Sequence, residues 1–248
     1  MSMLKLENVR YRKILKDVNF SIEEGSFNVL IGPNSSGKST LVKVLAELIG
    51  FDGKITFNGV RKDIGFFMEH NLFSYKRVMD NLIFILINLG FKKKYSEDKA
   101  IEFLKYFELD YLAEKQISEL TYSEKRLVEF ISSIIHEPKL IIIDDSFDYL
   151  SEDEREKIIQ KIKDLKTTIL FITNNMDDIF FADQIIALKE GVTTFTGSLN
   201  ELIKSERNFI DNKLYPPFIL DLSYKFMDYK LIDKVILNEK EMVNKVWK

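Results

Sequence analysis

The sequence predicts an α/β fold in which a mixed, mainly parallel sheet is flanked by helices. Short apolar runs typical of buried strands alternate with helical periodicity along the 248 residues. A helical block from about 76 to 137 interrupts that alternation. The composition is globular, with 46% hydrophobic and 30% charged residues. No cysteine is present, which excludes disulfides, thiolate metal sites and cysteine nucleophiles.

The N-terminal part combines strands with one helix. Alternating or continuous apolar residues predict strands, and Gly50 is placed to end the helix. Asn58 and Gly59 mark a turn inside the last strand region. The predicted strands are 3–9, 18–22, 27–31 and 54–67, and the predicted helix is 39–50.

The remaining part begins with the helical block and returns to strands. Charged segments predict breaks in the block at 92–98 and 113–119. Apolar runs then predict strands at 140–143, 168–173 and 184–188, with a charged helix at 151–165.

Pro216 and Pro217 mark the start of a C-terminal extension. Apolar residues recur every four positions after them and predict a helix with one apolar stripe, formed by Phe218, Leu222 and Phe226. Asn238, followed by Glu241, predicts the cap of a second short helix, which presents Met242, Val246 and Trp247.

The segment GPNSSGKST fits the phosphate-loop pattern G-x-x-x-x-G-K-[ST] between a buried strand and a helix. Glycines let successive N–H groups turn inward around phosphates, and the positive end of the following helix adds to that field. Lys38 is expected to reach the β- and γ-phosphates of ATP, and Ser39 to bind Mg²⁺. The candidate residues of this phosphate loop are Gly32, Pro33, Asn34, Ser35, Ser36, Gly37, Lys38, Ser39 and Thr40.

The run LIIIDD places two carboxylates at the end of a buried strand. We expect Asp144 to serve the Mg²⁺ held by Ser39, directly or through a water. For Asp145 two interpretations stay open: it orients the water that attacks the γ-phosphate, or it caps the next turn.

With these motifs the chain resembles the ATP-binding subunits of ABC transporters, over nearly its whole length. The resemblance implies a P-loop NTPase core with an antiparallel β subdomain and an inserted helical subdomain. It also implies that Tyr11, in VRYRK, stacks on adenine. LTYSE, residues 120–124, occupies the family's signature segment, which caps the ATP of the opposite subunit. Its candidate contacts are Thr121, Tyr122, Ser123 and Glu124.

Several positions depart from the family pattern. Glu69, in IGFFMEHN, stands where a glutamine is usual and is a candidate for catalysis and for metal binding. Asp145 replaces the catalytic glutamate, and Asn174 occupies the place of the switch histidine. The signature segment has lost two glycines, to Tyr122 and Ser123, and DYLS at 148–151 alters the D-loop. The resemblance therefore implies a subunit that binds Mg-ATP and hydrolyses it slowly.

Thr121 and Glu124 also form a capping box, S/T-x-x-E, ahead of apolar residues at helical spacing. The helix needs these two residues whether or not a nucleotide binds. The apolar positions of the predicted helix are Leu127, Val128, Ile131, Ile134 and Ile135.

The C-terminal extension resembles that of energy-coupling factor ATPases, the paired motors of vitamin and transition-metal importers. The resemblance implies an ATPase domain at 1–203 and an extension at 204–248 that contacts a second ATPase subunit, with a heterodimer favoured. It also implies a transmembrane coupling protein contacting the region Phe67–Met79, with Phe73 and Tyr75 as contact or core residues. A separate membrane protein would bind the substrate.

The location and the competing functions follow from the remaining features. The N-terminus lacks a signal peptide's apolar core, and no segment approaches the ~20 apolar residues of a membrane span, so we expect a cytoplasmic protein peripheral to the membrane's inner face. A net charge of −3 gives no reason to expect nucleic-acid binding. Neither His70 nor His136 lies at the switch position, and both are expected in loops or at the surface. The alternatives are a non-hydrolysing regulatory subunit paired with a competent ATPase, and a soluble ABC protein.

Overall fold

The computed structural model describes residues 2–68, 73, 75–144 and 147–246. Within these residues the strands are β1 (Ser2–Tyr11), β2 (Leu15–Glu23), β3 (Phe27–Ile31), β4 (Asp52–Phe57), β5 (Ile64–Phe67), β6 (Leu140–Asp144), β7 (Thr168–Ile172), β8 (Gln184–Lys189) and β9 (Val192–Gly197). The α-helices are α1 (Lys38–Leu45), α2 (Val78–Asn88), α3 (Lys93–Tyr106), α4 (Tyr122–Ile134), α5 (Glu152–Asp164), α6 (Leu199–Leu202), α7 (Arg207–Asp211), α8 (Phe218–Asp228) and α9 (Glu239–Val246). None of the described helices has the length and apolar character needed to span a bilayer.

The chain divides into two compact units. Unit 1 contains the described residues of Met1–Leu4, Glu23–Phe27 and Phe57–Ile172. Unit 2 contains those of Lys5–Ile22, Asn28–Thr56 and Thr173–Lys248. The boundary predicted at 203/204 from the family resemblance stays a prediction.

Unit 1 contains a parallel arrangement in the order β7-β6-β5. Ile143 in β6 faces Phe67 in β5 and Phe171 in β7 across the ladder. Residues 140–143 and all of β7 are buried, as expected of parallel strands, which are usually covered on both faces. Helix α4 packs against β5 and α2, and α2 packs against α3.

Unit 2 contains most of the strands in the order β4-β1-β2-β9-β8-β3. β8 is parallel to β3 and antiparallel to β9, which in turn is parallel to β2. Strand β9, which was not predicted, forms the hairpin with β8. The register pairs Ile31, the last residue of β3, with Ala187, two residues before the end of β8. Parallel and antiparallel pairings together with helices confirm the predicted mixed α/β class.

The first helix ends earlier than predicted. Gly50 was expected to end it, but α1 stops at Leu45. Glu47 takes the left-handed conformation with a φ of 56°, and its N–H bonds to the Val44 carbonyl. The Leu48 N–H donates to the Lys43 carbonyl at 2.9 Å. These two bonds form a Schellman motif, which ends a helix without requiring glycine at Gly50.

The predicted break at 92–98 is wrong, because α3 begins at Lys93. Two ion pairs at i,i+4 spacing, Lys93–Glu97 and Lys94–Asp98, lie on its first turns. The chain instead turns at Gly90, with a φ of 92°. The predicted break at 113–119 is confirmed as a turn and a short 3-10 helix. The single strand region predicted at 54–67 is two strands, β4 and β5.

The C-terminal extension packs around a small apolar cluster. Its buried members are Ile219, Ile232, Ile236 and Met242, with Leu222 and Phe226 packed against them. The predicted stripe is therefore wrong at Phe218, which is 72% exposed, because the helix buries the face that starts one residue later. Tyr224 lies on that buried face and donates to the Ile203 carbonyl at 2.9 Å. The side chain of Val246 and all of Trp247 lie outside the described residues.

We expect Tyr224→Phe to lower the free energy of unfolding by about 1–3 kcal/mol, because it leaves the buried Ile203 carbonyl without this donor. Tyr229→Phe is the matched control, since Tyr229 is exposed on the same extension. Urea denaturation measures both changes.

Burial raises the pKa of Tyr224 to about 12, above its usual 10. The wild type should therefore lose stability as the pH rises from 10 to 12, because the unfolded chain ionises first. Equal effects of the two substitutions, or no loss above pH 10, would contradict this role for Tyr224.

Candidate nucleotide-binding site

The phosphate loop connects β3 to α1 in unit 2 and depends on two glycines. All five residues of β3 are buried, so its end is fixed in the core. A Cβ at Gly32 would lie 2.2 Å from the Leu188 carbonyl oxygen of β8, a distance that no side chain tolerates. Gly37 has a φ of 109°, and a Cβ there would lie 2.8 Å from the Leu15 side chain. Only glycine fits either position.

Polar groups of the loop converge on its interior. The Lys38 ammonium donates to the Gly32 carbonyl at 2.6 Å and to the Pro33 carbonyl at 3.2 Å. The Ser36 hydroxyl is buried and has no hydrogen-bond partner among the described residues. A buried polar atom of this kind indicates a group that a bound ligand can satisfy.

The start of α1 completes the loop. Gly37 precedes the helix and has no side chain to cap it. The first N–H groups of α1 therefore receive no side-chain hydrogen bond from this residue. Ser39 is exposed at this end, while Lys38 is buried. Asn34 and Ser35 are also exposed, and Pro33 and Thr40 are half-buried. The glycine cradle and the lysine fit a nucleotide phosphate, and a hydroxyl on exposed Ser39 is of the kind that can bind Mg²⁺.

Tyr11 ends β1 next to a turn that contacts the loop. The Ile14 N–H donates to the Tyr11 carbonyl at 3.1 Å and closes this turn. Leu15 is the residue nearest to a Cβ on Gly37, so the turn and the loop are neighbours. The Tyr11 ring is half-buried, with the guanidinium of Arg12 5.1 Å from its centroid. The adenine-stacking role that the family resemblance implies for Tyr11 stays a prediction.

Asn174 lies two residues after the end of β7 and is exposed. Its neighbour Thr173 belongs to unit 2 and donates its N–H to the Leu30 carbonyl of β3 at 3.2 Å. The Thr173 hydroxyl accepts from the Asn175 N–H at 2.9 Å, which fixes the backbone around Asn174. The structure thus brings Asn174 beside the strand that enters the phosphate loop.

Unit 1 carries the remaining predicted residues, and only some are described. Asp144 ends β6 and is half-buried, opposite Ile172 in the ladder. Glu69 and Asp145 lie outside the described residues, as does His70. His136 lies in the turn after α4, where burial lowers its pKa below the usual value. His136 therefore lies in a loop, as predicted, and its side chain is half-buried.

The signature segment is held by bonds within its own chain. The Thr121 hydroxyl accepts from the Glu124 N–H at 3.2 Å, and the Glu124 carboxylate accepts from the Thr121 N–H at 2.8 Å. This confirms the predicted capping box of α4. The backbone bond from Thr121 lowers the pKa of Glu124, and Lys115 lies 3.5 Å from its carboxylate. The buried apolar face of α4 is confirmed at Leu127, Val128, Ile131, Ile134 and Ile135.

Tyr122 and Ser123 replace glycines of the family pattern and differ in exposure. Tyr122 is 68% exposed, and its ring meets that of Tyr149 edge-on at 5.6 Å. Ser123 donates its hydroxyl to the Tyr149 carbonyl at 2.9 Å. The hydroxyl of Ser123 is therefore engaged within unit 1, and Tyr122 presents a bulky ring to solvent.

The segment predicted to contact a membrane partner is partly buried. Phe67 is fully buried and belongs to the core. Tyr75 is exposed and packs edge-on against Phe84, and half-buried Phe73 lies under the ammonium of Lys125. Asn81 fixes the backbone here, because its side chain bonds both the N–H and the carbonyl of Tyr75 at 2.9 Å.

The sequence interpretation missed Arg126 and Glu129, which form a buried ion pair on α4. A signal was present: two opposite charges at i,i+3 spacing stand among the apolar residues of a helix. The buried hydroxyl of Ser36 was included only as part of the phosphate loop, and no sequence feature distinguishes it from Ser35.

Comparison with known proteins gives the family. The profile of the family described as "ABC transporter" matches residues 15–148. An aliphatic sulfonates import ATP-binding protein of Bacillus cereus, SsuB, is 30% identical over 73% of this chain and 76% of its own. The energy-coupling factor transporter ATP-binding protein EcfA1 of Streptococcus thermophilus is 27% identical over 99% of this chain and 98% of its own.

Solved structures share the fold. A CbiO1 protein from Clostridium perfringens, described as part of the transporter complex CbiONQ, superposes with a TM-score of 0.74. It is 23% identical and covers 89% of this chain and 98% of its own. A dimeric ATP-binding cassette bound to ADP and Pi superposes with a TM-score of 0.71 at 25% identity, covering 79% of this chain and 99% of its own. These likenesses confirm the predicted P-loop ATPase fold.

We expect Lys38→Ala to weaken ATP binding about 10- to 100-fold, because a hydrogen bond to a charged group contributes about 1.5–3 kcal/mol. Isothermal titration calorimetry with Mg-ATP measures the affinity. Lys43→Ala is the control, since Lys43 is an exposed lysine on the same helix. Equal affinities for the two variants would refute the assignment of the phosphate loop.

Proposed function

The chain belongs to the ABC transporter family, and from this premise we propose that it is the ATP-binding, energy-coupling subunit of a membrane importer for a vitamin or a transition-metal ion. The observation that carries the proposal is the phosphate loop, whose glycine cradle, Lys38 and buried Ser36 hydroxyl suit a nucleotide phosphate. Similarity to EcfA1 over nearly all of both chains supports the energy-coupling class, and similarity to SsuB, an import ATP-binding protein, supports import.

ATP is proposed to bind with its phosphates in the loop and its adenine on Tyr11. Lys38 would exchange its bonds to the Gly32 and Pro33 carbonyls for bonds to the β- and γ-phosphates. Ser39 and Asp144 would hold Mg²⁺, which supplies charge neutralisation at the β- and γ-oxygens when bound. Asn174 would donate a neutral hydrogen bond to the γ-phosphate, where it cannot carry a positive charge.

Hydrolysis at this site is proposed to be slow. An aspartate at Asp145 sets its carboxylate back by one methylene from a glutamate, and a misplacement near 1 Å can cost about 10²-fold in rate. Glu69, at the glutamine's position, would add a negative charge beside the metal. At the opposite subunit's site the signature segment of this chain would add an obstacle, since exposed Tyr122 occupies a place where glycine would let a phosphate approach backbone N–H groups.

The partners follow from the same proposal. A second ATPase subunit would complete two composite sites, and a heterodimer is favoured because a homodimer would carry every altered position twice. Exposed apolar side chains on the C-terminal extension support this contact. They include Tyr215, Phe218, Tyr229 and Leu231.

On the membrane side, Tyr75 and the segment up to Met79 would receive a helix of a transmembrane coupling protein, while a separate membrane protein binds the substrate. The exposure of Tyr75 supports a role in this contact, whereas buried Phe67 supports the segment from within the core. ATP binding would close the ATPase pair and hydrolysis would reopen it at the inner face of the membrane.

We expect Asp145→Asn to lower ATP turnover of the detergent-solubilised complex, captured through a tag on this chain, by about 10²- to 10⁴-fold if Asp145 is the general base. Steady-state phosphate release measures turnover. Asp153→Asn is the control, since Asp153 is an exposed carboxylate on α5, outside the segments that the resemblance assigns to the site. Unchanged turnover in Asp145→Asn would place hydrolysis at the partner's site and favour the non-hydrolysing regulatory subunit.

We expect the double change Tyr122→Gly and Ser123→Gly to raise turnover of the complex about tenfold, because each preorganised donor at a transition state contributes at least that much. The Thr121–Glu124 capping box is retained, so α4 keeps its start. The matched control, Tyr122→Ala with Ser123→Ala, removes the ring but keeps two Cβ atoms. A rise in the control equal to that in the glycine variant would show that ring removal, and not backbone access, is responsible.

A further inference from the structure

A buried ion pair lies on α4, just after the signature segment. The guanidinium Nη1 of Arg126 lies 2.6 Å from the Glu129 carboxylate, and the two side chains are only 8% and 6% exposed. Removing two charges from water is costly, and their mutual attraction alone seldom repays that cost. The other contacts of Arg126 therefore decide what the pair does.

The guanidinium of Arg126 also contacts the end of β5. Its Cζ lies 4.4 Å from the centroid of the Phe67 ring, and Nη1 donates to the Met68 carbonyl at 3.4 Å. Met68 directly precedes Glu69 in the chain. The cation thus touches the residues that lead into the glutamine-loop position.

The same guanidinium reaches the segment that follows Asp145. Its Cζ lies 5.9 Å from the Tyr149 ring, and the Tyr149 carbonyl accepts from Ser123 at 2.9 Å. Phe147, with a left-handed φ of 53°, stacks on Phe67 at 5.8 Å. The segments before Glu69 and after Asp145 therefore meet in one buried cluster around Arg126.

We propose that Arg126 is a positioning residue that holds the chain segments flanking Glu69 and Asp145 in their working places. This inference rests on the proposed function, because Glu69 and Asp145 act only if this subunit turns over ATP. An arginine suits the task, since a planar guanidinium can bond a carboxylate and a carbonyl while its face lies on aromatic rings. A lysine keeps the charge but offers no planar face.

The test compares Arg126→Lys with the wild-type complex by two measurements. Hydrogen–deuterium exchange of the peptides that contain Met68 and Tyr149 reports how firmly both segments are held, with or without turnover. Steady-state kinetics give kcat and KM for ATP. We expect severalfold faster exchange in both peptides and a kcat about tenfold lower, at an unchanged KM, because the phosphate loop is untouched.

The control for simple loss of stability is Lys99→Gln. Lys99 is another buried cation of unit 1, 2.7 Å from the Glu137 carboxylate, on α3. It should lower the melting temperature without changing kcat or exchange at Met68 and Tyr149. If Arg126→Lys does not fold, Glu129→Gln serves in its place, since it leaves the guanidinium without its anion and should loosen the same two peptides.

The outcomes separate this proposal from the proposed function. Where Asp145→Asn abolishes turnover, an unchanged kcat in Arg126→Lys overturns the positioning role. Where Asp145→Asn changes nothing, hydrolysis at this site is disproved and exchange alone decides. Faster exchange at both peptides then upholds the role of Arg126, and unchanged exchange overturns it. An equal fall of kcat in Lys99→Gln would also overturn it, since any lost cation would have the same effect.

Discussion

The phosphate loop depends on close backbone approaches that only glycine permits. Gly32 lies against the Leu188 carbonyl of β8, and Gly191 lies against the Ile14 carbonyl, where a Cβ would come within 1.9 Å. Gly191 also donates its N–H to the Ser36 carbonyl at 2.9 Å. The β8–β9 hairpin, the turn after Tyr11 and the loop are thereby joined through their backbones. Lys38 and the Ser36 hydroxyl lie inside the loop, where a bound ligand would contact that hydroxyl.

Much of the fold was predictable because buried strands and helices require a strong pattern of apolar residues in the sequence. Strand β3 was predicted to the residue, since a continuous apolar run between turn signals has few other structures. The errors came where local bonds competed with pattern. The Schellman bonds at Glu47 ended α1 before Gly50, and ion pairs at Lys93 and Lys94 allowed a helix in a segment whose charge had indicated a break. Strand β9 has no fully buried residue, and so its apolar signal was weak.

The candidate site was predictable to the extent that its chemistry is local in sequence. The phosphate loop is one contiguous segment with a fixed spacing, and its cradle appears where that spacing placed it. The cluster around Arg126 joins three segments distant in the chain, and no spacing rule connects them. The bond of Glu124 to the start of α4 was predictable, because a capping box is local in sequence. Contacts such as those of Arg126 depend on tertiary packing.

The departures in the signature segment have a common physical consequence. The hydrogen-bonding groups of this segment already bond within their own unit. Thr121 and Glu124 bond at the helix start, and Ser123 bonds to Tyr149. Groups satisfied in this way give little to a nucleotide on another subunit, since a new bond must replace one already made. The phosphate loop differs, because its Ser36 hydroxyl is buried without a partner among the described residues. One chain thus combines a segment prepared to hold a phosphate with a segment already satisfied without one. In the proposed dimer, that difference would separate holding ATP from assisting its cleavage.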